Sequence, residues 1–196
     1  MDRDPITPTP HQLRALAHPV RLRMLGMLRM DGPATATSLA TRLGLNTGAT
    51  SYHLRQLAQH GFITDDETRG NGRERWWRAA HASTRTDWEP ADIDPEEQET
   101  RDAYLQTVAV VYSQMLQQAV EVRSSLAPEW RNAWTISDWR AQLTPDKARR
   151  LIELLSEDIE EFEEVPSDDP DSLPYVVMLH AFPRPGGFLG HSGDLS

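Results

Sequence analysis

No cysteine occurs anywhere in the 196 residues. That absence excludes a disulfide framework and any thiolate metal site, and it suits a reducing compartment. Long hydrophobic runs are missing too. The longest apolar windows, VAVVY at 108–112 and YVVML at 175–179, fall far short of the roughly 20 residues that cross a bilayer. The start, MDRDPITPTP, is charged and rich in proline and threonine where a secretory signal would need an apolar run. A soluble, cytoplasmic chain with no membrane partner is the expectation.

Catalytic signatures are equally scarce. There is no Gly-x-Ser-x-Gly elbow, no phosphate-cradling glycine loop and no histidine paired with an acid at helical spacing. The seven histidines are scattered, without a His-x-x-x-His pair, so neither a metal nor any other cofactor is expected. The run Glu160, Glu161, Glu163, Glu164 reads as a solvated face. An enzyme is not the reading these residues favour.

What the chain does have is a division of charge. The net value of -10 hides it. Residues 1–85 carry 12 arginines against 7 acids, whereas residues 86–196 carry 8 lysines and arginines against 23 acids. A basic first part suits contact with a polyanion, and an acidic remainder discourages indiscriminate adhesion.

Hydrophobic period places the elements. In PHQLRALAHPVRLRMLGMLRMDG, apolar residues recur at three- and four-residue steps, and Pro19 divides them into a short helix to about Ala17 and a second from about Val20 to Met30. TATSLATRLGL follows, with Thr35 as N-cap and Gly44 as the left-handed stop. In LNTGATSYHLRQLAQHGF, Asn46 caps a helix of about 47–60 that Gly61 ends. Two short helices joined by Gly-Leu-Asn form a helix-turn-helix signature. FITDDE and RERWWRAA, joined by TRGNG, read as an antiparallel hairpin, a wing spanning 68–75 at its tip. Trp76 and Trp77 alternate across the second strand, which predicts Trp77 facing the core and Trp76 facing another helix or solvent.

Beyond a linker at 82–95, a long helix is expected over about 96–126, some 45 Å at 1.5 Å per residue. Its apolar face exceeds what a small winged domain covers, which predicts a second protomer. The remainder reads as a small α+β module over 127–183, with a helix capped by Thr144, a strand at Trp134–Asp138 unless Asp138-Trp139-Arg140 starts a loop, and a strand at Tyr175–Phe182, then a disordered tail at 184–196. The fold class is therefore mainly α with a small β component.

With these motifs in order, residues 11–81 resemble the ArsR-type winged helix-turn-helix regulators. The resemblance rests on the His18-Pro19 junction before an arginine-rich helix, the Ser51-x-His53-Leu54-x-x-Leu57 run and the glycine-arginine wing. It implies a homodimer that represses or activates transcription, with the second helix of the motif in the major groove. Thr47, Gly48, Ser51, Tyr52 and Arg55 match its DNA-facing positions. Ser38–Leu43 holds no cysteine and residues 96–126 no histidine, so the metal-sensing pattern of the family is absent and the cysteine-free branch is the nearer match.

The residues carry chemistry of their own. Arg55 suits phosphate or guanine and Gln56 adenine or phosphate, on a helix end narrow enough for a groove about 12 Å wide. Arg69, Arg73 and Arg75 can straddle phosphates or enter the minor groove. His53 reads as a partly buried structural histidine. Trp130, Trp134 and Trp139 could line a pocket for a small-molecule effector, although filling a local core is the simpler role. Double-stranded DNA and a second copy of the chain are the expected partners. The rival reading is a winged module whose basic face binds an acidic protein.

Overall fold

The computed structural model describes residues 4–69, 74–86, 93–162 and 169–186. They fall into two compact units, Met1–Ala127 and Pro128–Ser196.

In the first unit, α1 (Pro10–Leu16) begins with a capping box in which the Thr9 and Gln12 side chains each satisfy the other's backbone N–H. His18 then caps α2 (Pro19–Met30) through Nδ1, which accepts from the Val20 N–H at 3.2 Å. Pro19 therefore starts a helix and does not interrupt one, because the first helical position has no internal partner for an N–H. A two-residue strand β1 (Ala34–Thr35) leads into α3 (Ala36–Leu43), where Thr35 and Ser38 form a second capping box. Gly44 ends α3 at φ 65. Asn46 Oδ1 accepts from the Ala49 N–H at 2.8 Å and starts α4 (Thr47–Gln59) only three residues after α3 stops.

The strands β2 (Ile63–Asp65) and β3 (Trp76–Ala79) pair antiparallel with Ile63 opposite Ala79 and Asp65 opposite Trp77. β1 joins the other edge of β3, Ala34 opposite Trp77, to give the order β1-β3-β2. Two residues carry no readable period, so this third strand was invisible in the sequence. Leu16, Met24, Leu25, Leu39, Leu54 and Phe62 form the centre of the core, fully excluded from solvent, and Trp77 seals it from the sheet. Arg29 ties down the chain after the sheet, donating to His81 O at 3.1 Å and Thr84 Oγ1 at 2.9 Å. Ile6 pairs beside Thr84 in a single parallel bridge.

α5 (Pro95–Val122) is capped by Asp94 and continues into a 3-10 turn, Arg123–Ser125. Twenty-eight residues give a rod of about 42 Å. Thr100, Tyr104, Thr107 and Val111 bury one face of its N-terminal half, which packs on α1 and α2. Burial pushes the Tyr104 phenol up to about 12, so it stays a neutral core group. After Val111 no residue of α5 is buried, and Leu116, Val120 and Val122 stand exposed.

The second unit contains α6 (Pro128–Asn132) and α7 (Pro145–Glu160), the latter capped by Thr144 with Pro145 at its first position. The strands expected near Trp134–Asp138 and Tyr175–Phe182 are not formed: neither stretch has a ladder partner among the described residues. Tyr175, Val177 and Phe182 are exposed. Apolar alternation proposes a strand, but only a neighbouring edge with free N–H and C=O groups makes one. Residues 187–196 of the expected tail lie outside the described residues. No helix of the described residues is long and apolar enough to cross a membrane.

Two glycines separate conformation from packing. Gly44 adopts φ 65 and a Cβ added there would meet nothing within 4 Å, so its requirement is purely backbone. Gly26 lies inside α2 with the same open space and an ordinary helical backbone. Gly44→Ala is therefore expected to lower the unfolding free energy by about 1–2 kcal/mol, and Gly26→Ala to raise it by about 0.5–1 kcal/mol. Denaturant midpoints at unchanged slope check both signs.

Candidate nucleic-acid interface

α4 has two faces of different character. Thr50, Leu54 and Leu57 are buried, and Thr50 Oγ1 donates to Asn46 O at 3.1 Å, locking the first turn. Thr47, Gly48, Tyr52 and Arg55 are exposed on the other side, with Ser51 and Gln56 half-buried between the faces. Gln56 Nε2 lies 3.5 Å from Gln59 Oε1. Tyr52 keeps 52% of its surface in solvent, an unusual exposure for a tyrosine on a short helix anchored in a core.

Two contacts hold the angle of this helix. Gln12 of α1 donates to His60 O at 3.0 Å, and the His11 and His60 rings lie 4.8 Å apart, which fixes the C-terminal end. Near the middle, the His53 ring packs 4.7 Å from His18, the cap of α2, and meets the edge of Tyr52 at 5.6 Å. Isolated in sequence, the histidines come together as two pairs in space. Their spacing along the chain gave no sign of it.

Burial holds the pKa of His18, His53 and His60 below the ordinary 6.5, with Arg21 adding to the depression at each, His18 at His53, and His11 at His60. His53 Nδ1 is buried with no hydrogen-bond partner. A base whose folded pKa is depressed binds fewer protons folded than unfolded once pH falls below the unfolded value. The stability from the neutral pairs is thus present above about pH 6.5 and is lost as pH falls toward the folded values. Denaturant midpoints are expected to drop between about pH 7 and pH 5, and His53→Gln with His60→Gln is expected to flatten that slope.

The wing's arginines are placed differently from one another. Arg75 forms a two-point ion pair with Asp65, Nη2 lying 2.6 Å from Oδ2, and stacks its guanidinium 4.0 Å from the Trp77 ring centre. The hydrogen bond from Arg75 holds the Asp65 carboxyl below the usual carboxylate range. Arg69 lies over Trp76 at 5.8 Å, 3.8 Å from the Asp66 carboxylate. That carboxyl, buried in the wing root, accepts from the Thr68 hydroxyl at 2.5 Å and the Thr68 N–H at 3.2 Å, and the former bond chiefly lowers its pKa. Arg73, the third arginine expected on the wing, lies outside the described residues. Nothing in the local spacing of Asp65 and Arg75 marked this pair; the register of the formed hairpin, with Asp65 opposite Trp77, brings them together. Trp77 is buried and Trp76 half-buried, as the alternation across β3 predicts.

The tryptophans expected at an effector site do not share one environment. Trp130 packs beside Tyr175 with ring centres 6.3 Å apart, and Trp139 is 87% exposed and so lines no enclosed cavity within one chain. Among the described residues no group of three or more His, Asp or Glu side chains could hold a metal ion.

A helix that presents polar side chains beyond a sheet-backed core, preceded by a shorter helix at a three-residue turn, is the arrangement of a helix-turn-helix. Residues 16–66 match the helix-turn-helix domain family. The match takes in α2 through β2, and with the three-stranded sheet the unit has the architecture of a winged helix-turn-helix domain followed by a long helix. Among solved structures the chain is similar to an apo mutant of ZitR from Lactococcus lactis, with 12% identity and a TM-score of 0.32 over 73% of this chain and 83% of that one. It is also similar to the transcriptional regulator Tm0710 from Thermotoga maritima, with 10% identity and a TM-score of 0.30 over 74% of this chain and 80% of that one. No curated protein matches the chain.

Proposed function

We propose that this chain is a homodimeric transcriptional regulator of ArsR type that reads double-stranded DNA in the cytoplasm. α4 enters the major groove, with Thr47, Gly48, Ser51, Tyr52 and Arg55 toward base edges and Gln56 toward adenine or phosphate. Arg69 and Arg73 reach the backbone or minor groove. Arg75 contributes mainly by holding the wing root through Asp65. The observation that carries this reading is the split of α4: one side is sealed into the core, while the other presents short polar groups at the helix start and a longer cation about two turns on. That gradation of reach suits a groove floor with flanking phosphates.

The apolar surface that α5 leaves uncovered past Val111 suits a second protomer, which would fix the spacing of two recognition helices. Two-fold symmetry then calls for a near-palindromic site with half-sites about one helical turn apart. The experiment is footprinting of the full chain on the DNA upstream of its own gene, with affinity measured across a salt series. Two protected half-sites and a linear fall of log affinity with log salt support the proposal. Binding to acidic proteins but to no duplex would replace it with the protein-docking reading.

A further inference from the structure

We infer that Asp66 is the positioning residue of the wing, a buried acceptor that holds Thr68 and so fixes the course of the chain to Arg69. The inference rests on the regulator reading, in which Arg69 meets the DNA backbone. A carboxylate has the wrong sign for an element that approaches phosphate, and taking it out of water costs free energy unless it is paired. Two stand in succession where β2 ends, and they are matched differently. Asp65 is paired across the hairpin with Arg75. Asp66 is matched within its own turn.

That turn starts where the ladder stops. The Asp66 N–H donates to Trp76 O at 2.9 Å, one rung beyond Asp65 and Trp77, and the Asp66 carbonyl accepts from the Arg69 N–H at 3.4 Å. Asp66 thus begins a four-residue reversal that ends at Arg69. Its Oδ1 fills the inside of the reversal, accepting from the Thr68 N–H at 3.2 Å and the Thr68 hydroxyl at 2.5 Å. Its Oδ2 faces Arg69, whose Nε lies 3.8 Å away and whose guanidinium lies 5.8 Å from the Trp76 ring centre. The two partners differ in access: the Asp66 side chain is 8% exposed and that of Arg69 is 56% exposed. The anion is shielded while the cation stays open. Arg69 is therefore aimed by a group withdrawn from solvent, and a loosely held ion pair of this kind yields readily to a phosphate.

The test is a double-mutant cycle between Asp66 and Arg69 in the full chain, read as affinity for the footprinted duplex across a salt series. Asp66→Ala is expected to weaken binding roughly tenfold, the scale of one hydrogen bond to a charged group, and to make the salt slope shallower by about 1, as Arg69→Ala does. Added to Arg69→Ala it should cost less than about twofold more, because the contact it serves is already gone. Asp66→Asn keeps an Oδ1 acceptor for Thr68 and should bind within about twofold of the parent. Thr68→Val removes only the hydroxyl; it should lose part of the same affinity with the same dependence on Arg69, and it serves where Asp66→Ala does not fold. Hydrogen exchange of the Thr68 amide supplies a readout without DNA: protection should survive in Asp66→Asn and vanish in Asp66→Ala. A loss undiminished in the Arg69→Ala background, Asp66→Asn as weak as Asp66→Ala, or a Thr68 amide unchanged in Asp66→Ala would overturn the proposal. A parent that binds no duplex sinks the regulator reading and this role together, whereas a parent that binds with Asp66 uncoupled from Arg69 sinks this role alone.

Discussion

Phe62→Ala is expected to lower the unfolding free energy of the helix-turn-helix unit by about 3–5 kcal/mol. Phe62 is fully excluded from solvent and sits where α4 hands over to the sheet, directly after Gly61 at φ 78. Its N–H donates to Leu57 O at 3.0 Å and its carbonyl accepts from the Ala80 N–H at 2.9 Å. The backbone is therefore pinned on both sides, and it cannot collapse into the space that removal of the ring leaves. A void that cannot relax costs both the transfer energy and the cavity. Typical domains hold only about 5–15 kcal/mol in total, so the variant should melt well below the parent or be unfolded when isolated. Urea unfolding followed by far-ultraviolet circular dichroism measures this, and a loss under about 1.5 kcal/mol would show that the site repacks.

The second large effect separates binding from folding. Arg55→Ala should leave the urea midpoint within about 0.5 kcal/mol of the parent, since Arg55 is on the exposed side of α4. Its affinity for the footprinted duplex should nevertheless fall by about 1–3 kcal/mol, roughly 5- to 150-fold. The salt series tells a phosphate partner from a base partner. If Arg55 meets a phosphate, the variant's slope of log affinity against log salt is shallower by about 1 and all sequences weaken alike; if it meets a guanine, discrimination relaxes at one position. Leu54→Ala, one residue earlier and buried, is the control: it should lose binding only together with about 2–5 kcal/mol of stability. If Arg55→Ala keeps parental affinity on every duplex tested, Arg55 does not touch DNA and the assignments along α4 must shift.

These two expectations draw on different levels of the chain. Thr35, Gly44, Asn46 and Gly61 marked the ends of α3 and α4 because capping is local: an oxygen three residues from an N–H, or a backbone that needs positive φ, is written in the sequence itself. The outward positions of α4 were legible for a related reason. Once Leu54 and Leu57 define the inward side of a 3.6-residue period, Arg55 must stand away from it.

By contrast, the histidine pairs, the Asp65–Arg75 clamp and the edge strand β1 each join residues from separate elements. Local spacing gives no account of which surfaces meet. The second unit shows the converse. Tyr175–Phe182 has a strand's composition but forms no β-ladder among the described residues, because β structure is a property of two segments and not of one. The sequence by itself determined the main helices, the capped starts and glycine stops of α3 and α4 and the outward side of α4, since period and capping act within a few residues. Only the tertiary structure decided that Arg75 is tied to Asp65, that His18 meets His53 and that the apolar faces of α5 and α7 remain uncovered, since these depend on how distant segments pack.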